Sequence, residues 1–394
     1  MITISLKELN AALNVVIPIV NRRSTLPVLQ NIQITPVNAT AITLFATDLE
    51  ANAKVTVQCE VAEVQAFSLN YAAFIKFTSG LVAGLKKGTD APLTLEVTAQ
   101  DDLLTAKLSC NGITTELPAI GGDYFPSEIL AHEATPESAT LELVNNLIAF
   151  VDTEKFIGAL SRVRHSASSD LTRPVLTAIC FKVSATGYEV ATADSFRLAI
   201  ESVATETGVV LTTFYLLPAR LVPIIKKMFN PDCPIRISRF ILTEISRDES
   251  ESIDRRNVIS LAQNSTYLDF YEIAGTFPNY EFILWQEGEA TTRLELDYPQ
   301  FLKAVKFALN APQATCVLPL PVIVTVGKTH TQDGTVNSIN ARYLLDLLNS
   351  YPQNTEKVAW CIKDTYAPVL FYPLPDINNK QLIMPMHSPE KRGR

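Results

Sequence analysis

The residues of this 394-residue chain that could do chemistry are few and scattered. Six cysteines (Cys59, Cys110, Cys180, Cys233, Cys316, Cys361) and four histidines (His132, His165, His330, His387) stand far apart, without a CxxC pair or a Cys/His spacing suited to zinc. They read as reduced, mostly buried thiols and as ordinary surface or packing imidazoles, so no metal and no cofactor are expected. Asp48 and Glu50, in Ala46-Thr-Asp-Leu-Glu50, place two carboxylates on one face of an extended segment. Nothing beside them supplies a metal or a third group, and a turn or strand edge is the better reading. Gly84-Leu-Lys-Lys-Gly88 lacks the spacing of a phosphate loop and reads as a helix end followed by a turn. His165 with Ser166, Ser168 and Asp170 reads as a polar helix exit, not a triad. The chain is therefore expected not to be an enzyme; a hydrolase with an unrecognised site is the remotest alternative.

Chemistry of another kind requires elements that position it. At 47% hydrophobic and 19% charged residues the chain has ample core, and its length suggests two or three domains. Its longest apolar runs, Val15–Val20 and Val317–Val326, fall short of the ~20 residues of a spanning helix. Lys7 and Glu8 interrupt any export signal core, so a cytoplasmic protein is expected. Apolar residues at three- and four-residue spacing predict helices over Leu6–Val20, Ala72–Lys87, Thr153–Arg164, Pro218–Asn230, Tyr298–Asn310 and Asn340–Tyr351. β-branched runs such as Ala41–Ala46, Leu93–Val97, Leu103–Ser109, Ile179–Val183, Tyr188–Ala193, Ile235–Ile241 and Val358–Lys363 predict strands between them. The order helix, strands, helix, strands occurs three times. Linkers are read at Pro126–Ser138 and Gln286–Thr292, and a solvated insertion, a hairpin tip or loop, at Ser246–Arg256. Between the paired helices lie 48 residues in the first repeat, 53 in the second and 29 in the third. At about 8 to 12 residues per strand and turn, the third lacks roughly two strands.

The charge is unevenly placed. The six helical segments, the first extended to Arg23, hold fifteen Lys and Arg against Glu8, Glu154 and Asp346, so a chain of net −8 keeps +12 on its helices and −20 elsewhere. Helices sharing one face would attract a polyanion that the rest of the surface repels. With no recognition helix and no aromatic stacking pattern, that attraction is to phosphate and independent of base sequence.

Several strings, in order along almost the whole chain, carry a resemblance: Ser24-Thr-Leu-Pro-Val-Leu29, Ala46-Thr-Asp-Leu-Glu50, Asp123-Tyr-Phe-Pro126, Thr172-Arg-Pro-Val-Leu176, Ala193-Asp-Ser-Phe-Arg-Leu-Ala199, Phe277-Pro-Asn-Tyr280, Asn340-Ala-Arg-Tyr-Leu-Leu-Asp346 and Met384-Pro-Met386. With them the chain resembles the bacterial sliding clamp family, the beta subunit of DNA polymerase III. The resemblance implies an α+β protein of three similar helix-strand repeats of the DNA clamp fold, the third shortened, assembled as a ring of two chains. Its domains would be 1–126, 138–285 and 292–387, with a tail at 388–394 that runs past the family's usual end. It implies a function in replication: encircling duplex DNA without sequence preference and tethering the replicative DNA polymerase, with the clamp loader and other peptide-bearing proteins as further partners. Arg23 and Arg220 match DNA-contacting positions; Arg22, Lys86, Lys87, Arg162, Arg164, Lys226, Lys227 and Lys303 join them on charge. A pocket for partner peptides is implied at Leu176, Ala193, Ser195, Phe196, Arg197, Leu198, Pro278, Ile283, Asn340, Tyr343, Leu382, Met384, Pro385 and Met386. Aliphatic and Met side chains there would form an adaptable socket, with Arg197 and Tyr343 as polar contacts at its edge. A charge at Met384 or Leu198 is expected to weaken partner binding and leave the fold intact. The short third domain predicts a two-chain contact that dissociates easily; the alternative is a clamp-like adaptor that binds peptides without closing around DNA.

Overall fold

The computed structural model describes residues 1–100, 103–126, 139–142, 147–207, 212–245, 253–310, 316–317, 322–325, 328–331, 339–364 and 366–385. The expected tail and most of the first linker lie outside them, as does Met386.

All six expected helices form: α1 (Leu6–Val16), α2 (Tyr71–Gly84), α3 (Thr153–Val163), α4 (Val222–Met228), α5 (Tyr298–Asn310) and α6 (Ala341–Ser350). Their ends follow from local chemistry. Ser5 Oγ accepts the Glu8 backbone N–H at 3.2 Å to start α1. Asn70 and Asn340 cap α2 and α6 in the same way. Pro18 stops α1 short of Val20, leaving a 3₁₀ turn over Ile17–Ile19. The fourth helix is shorter than its apolar pattern: Ala219–Leu221 is a 3₁₀ turn, and α4 proper begins just before Pro223.

The described residues sort into two compact units, 1–153 with 223–272 and 154–222 with 273–394, so the second expected repeat contributes to both. Backbone pairing is the cause. In the first unit Ala51–Gln58 pairs antiparallel with Thr266–Tyr271, extending the first repeat's strands into one fourteen-stranded sheet. In the second, Arg197–Ala204 pairs antiparallel with Asn379–Ile383, making one eight-stranded sheet from Thr213–Pro218 to Thr292–Asp297.

One expectation changes. The polar insertion is narrower than read, because Ile253–Arg256 continues the strand Ile253–Gln263, in register with Leu242–Ile245. Arg256 lies over the Tyr271 ring, 5.3 Å from its centroid, which keeps a charged residue compatible with the strand. The remainder, 246–252, lies outside the described residues. In the third repeat, expected to lack about two strands, the described residues between α5 and α6 hold three, Cys316–Val317, Val322–Thr325 and Lys328–Thr331, forming a separate antiparallel sheet, against five strands between α1 and α2.

In the second unit the eight-stranded sheet is buried on both faces. Phe301, Leu344, Leu348, Trp360 and Phe371 fill one side beneath α5 and α6. Leu198, Leu216, Tyr280, Trp285, Tyr372 and Leu382 fill the other. This is why Val369–Leu374 reads as an unbroken apolar run. Among the described residues no helix is long and apolar enough to cross a membrane.

Candidate functional site

The implied peptide pocket is built from the second unit alone. Leu198 and Leu382 face each other across the Arg197–Ala204 and Asn379–Ile383 pair, each 2% exposed, within the apolar core. The same pairing carries the chain outward: the Met384 N–H donates to the Phe196 carbonyl at 2.8 Å, bringing two exposed apolar side chains side by side, Phe196 at 57% and Met384 at 39%. Phe196 stacks on Tyr343 of α6 at 6.3 Å and 26°. Asn340, as the cap of α6, accepts the Arg342 N–H at 2.9 Å and fixes the turn that presents Tyr343. Leu176 lies within the 3₁₀ turn Pro174–Thr177, whose Val175, like Ala193, packs on the Leu198–Leu382 core. Gly275 comes so close to Val175 that a Cβ would sit 2.5 Å from its Cγ1, and its φ of +129° suits glycine alone. Ser195 is exposed and accepts from Arg173 at 3.3 Å. Pro278 and Ile283 flank Tyr280, which packs in the same core, and both are exposed. Pro385 is half-buried.

Arg197 is more engaged than an edge residue. Its Nε donates to Asp194 Oδ2 and its Nη1 to Asp346 Oδ2, both at 2.8 Å, and its guanidinium lies 4.4 Å from the Tyr343 ring centroid. Asp194 Oδ1 also accepts the Phe196 and Arg197 backbone N–H groups, closing the turn that aims Phe196 outward. Sequence reading missed Asp194 and Asp346. The signals were present: an Asx-turn Asp two residues before Phe196, and a carboxylate three residues after Tyr343 on a helix.

Behind this cluster, His165 pairs with Ser166 Oγ at 3.1 Å and faces Arg197, Asp346 and Gln381. Burial, and after it the Arg197 charge, push its imidazole down from 6.5 to about 4, so the folded protein holds it neutral. The unfolded chain takes up the proton first. Stability from this group is complete above pH 6.5 and lost as pH falls towards 4, on the order of 2–3 kcal/mol. Thermal unfolding at pH 7 and pH 4.5 checks it: wild type should lose more stability than His165→Gln over that interval, and equal losses would assign the acid sensitivity elsewhere.

A buried polar network lies along the same strand pair. Glu201, 3% exposed, binds Arg162 of α3 at 2.6 Å and accepts from Asn379. Gln381 donates to Asn379 Oδ1 and to Ser350 Oγ, each at 2.9 Å. Arg162 is thus held inside the protein, since drawing it away would strand a buried carboxylate.

The other nine expected DNA contacts are exposed. Arg22, Arg23, Lys86, Lys87, Lys226 and Lys227 belong to the first unit, and Arg164, Arg220 and Lys303 to the second. Arg22 lies over Tyr71 at 5.4 Å, and Arg164 Nε donates to the Ala219 carbonyl at 3.2 Å. The sites dismissed for chemistry are accounted for: Asp48 Oδ1 accepts the Glu50 and Ala51 N–H groups in a turn, and Gly88, at φ +90°, turns the chain after α2. Among the described residues no group of three His, Cys, Asp or Glu is placed to hold a metal.

The family described as the DNA polymerase III beta subunit, N-terminal domain, matches residues 1–102. The beta sliding clamp of Synechococcus elongatus is 23% identical over 96% of this chain and 97% of its own. Crystal structures of the sliding clamp from Pseudomonas aeruginosa bound to griselimycin and of the DNA polymerase III beta subunit from Thermotoga maritima each superpose with a TM-score of 0.74 at 17% identity, covering 98% of this chain and 99% of theirs. Residues 1–102 thus match the family described as the DNA polymerase III beta subunit, N-terminal domain, and over nearly its whole length the chain is similar in fold to the bacterial sliding clamps.

Proposed function

We propose that the protein is a DNA sliding clamp: a non-enzymatic ring that encircles duplex DNA without sequence preference and tethers the replicative polymerase for processive synthesis in the cytoplasm. The observation that carries this reading is the charge partition on a clamp fold. Fourteen of the fifteen Lys and Arg residues on the helical segments or their ends are exposed, in a chain whose net charge is −8. Screened phosphate contacts of that kind hold a duplex without fixing its register, which is what sliding requires. The clamp loader and other peptide-bearing proteins would use the Leu198–Leu382 site.

The ring reading is supported by a strand edge. Ile113–Leu117 pairs on one side with the strand Leu103–Cys110, and among the described residues its other side has no partner. Its exposed Ile113 and its Pro118 suit an edge. A second chain's third repeat would pair there through backbone groups, which depend little on side-chain identity. Stable contacts bury on the order of 1,200–2,000 Å², and the short strands of the third repeat place this one at the low end. Sedimentation over a dilution series should show a dimer that dissociates reversibly as concentration falls. A monomer throughout, with or without DNA, would favour the adaptor that binds peptides without closing.

A further inference from the structure

Among the described residues of the expected pocket Arg197 is the one cation, and a cation there invites the reading that it recognises a carboxylate on the partner. The geometry points elsewhere. Two of the three guanidinium nitrogens are engaged, Nε by Asp194 and Nη1 by Asp346, and the group lies over the Tyr343 ring. The side chain is 13% exposed, as is Asp194 to 15%, while Asp346 on α6 is 48% exposed. A peptide carboxylate brought here would be a third acid around one cation. It would have to displace Asp194 from a desolvated, charge-assisted pair or meet Asp346 at close range, and like charges in such a setting repel.

We propose, on the reading that this socket receives partner peptides, that Arg197 is a positioning residue, a strut pinned by Asp194 and Asp346. Asp346 is then a further residue of the site. The strut ties the turn that carries Phe196 to the helix that carries Tyr343, and so holds the two rings stacked at 6.3 Å. The surface left for a partner is the apolar wall of Phe196, Tyr343 and Met384. The class of partner that fits is a segment anchored by aliphatic and aromatic side chains that gains nothing from an acidic residue beside the anchor.

Two synthetic peptides test this, sharing a Leu-Phe anchor and differing only in an Asp or an Asn immediately before it, titrated against the full chain by calorimetry. Wild type should bind both with affinities within about threefold of each other. Arg197→Gln should weaken both by about tenfold and leave their ratio unchanged, because the strut is removed and neither peptide pairs with the guanidinium. Asp346→Asn keeps the Arg197–Asp194 pair and removes one of the two negative charges around the guanidinium, so the Asp peptide should gain relative to the Asn peptide. This second variant changes a half-exposed residue, and unfolding curves of both variants would separate misfolding from weakened affinity. A wild type that prefers the Asp peptide by tenfold or more, with the preference abolished in Arg197→Gln, would make Arg197 a direct recognition residue and overturn the inference. If wild type binds neither peptide, the peptide-site reading itself falls and the inference with it.

Discussion

Met384→Glu is expected to reduce affinity for a clamp-binding peptide by about 10- to 100-fold while leaving the unfolding midpoint unchanged, a loss of the size seen when a central apolar anchor is removed. Met384 is 39% exposed beside Phe196, so a carboxylate there stays solvated in the free protein and is desolvated only when a partner covers it. Leu198, equivalent from the sequence, behaves differently in the structure. It is 2% exposed and packed against the core, so Leu198→Glu would bury an unpaired charge and lower stability by several kcal/mol. Calorimetry with thermal unfolding separates the two. Unchanged affinity in Met384→Glu would remove this residue from the site.

The second large effect concerns the helix cations. Reversing Arg23, Arg220, Lys226 and Lys227 together to Glu should shorten residence on circular duplex DNA at low salt by at least about tenfold. The slope of log affinity against log salt should fall by up to about one for each cation–phosphate pair removed. All four side chains are exposed, so the fold should tolerate the change. Arg162 is the internal contrast. Paired with a buried carboxylate, its replacement by Glu should act on stability, not on the salt slope. Undiminished residence of the fourfold variant would mean that DNA is not held by these helices.

The helices were legible because their signals are local: Ser5, Asn70 and Asn340 at the starts, Pro223 in the first turn of α4, Pro18 near the end of α1, and a 3.6-residue apolar period between. The strands that carry the peptide site were less so. Arg197–Ala204 and Asn379–Ile383 place Glu201, Asn379 and Gln381 inside, each buried and hydrogen-bonded to a partner distant in sequence, and that breaks the alternation by which a strand is recognised. The charges of Ile253–Arg256 hid the start of a strand for the same reason, since Arg256 is accommodated by Tyr271 from the neighbouring strand. Residue identity placed Arg197 and Tyr343 in the site. That the arginine is already committed to Asp194 and Asp346 depends on where α6 packs, and a pairing across 149 positions leaves no local trace.

Topology is the central claim, and retention on circular compared with linear DNA tests it most directly. Protein loaded by its clamp loader onto nicked circular duplex should remain bound through gel filtration in high salt, where phosphate contacts alone would be screened. A single restriction cut should then release it, because a closed ring leaves only over a free end. Equal retention on the circle and on the cut DNA, or loss from both at the same rate, would contradict encirclement.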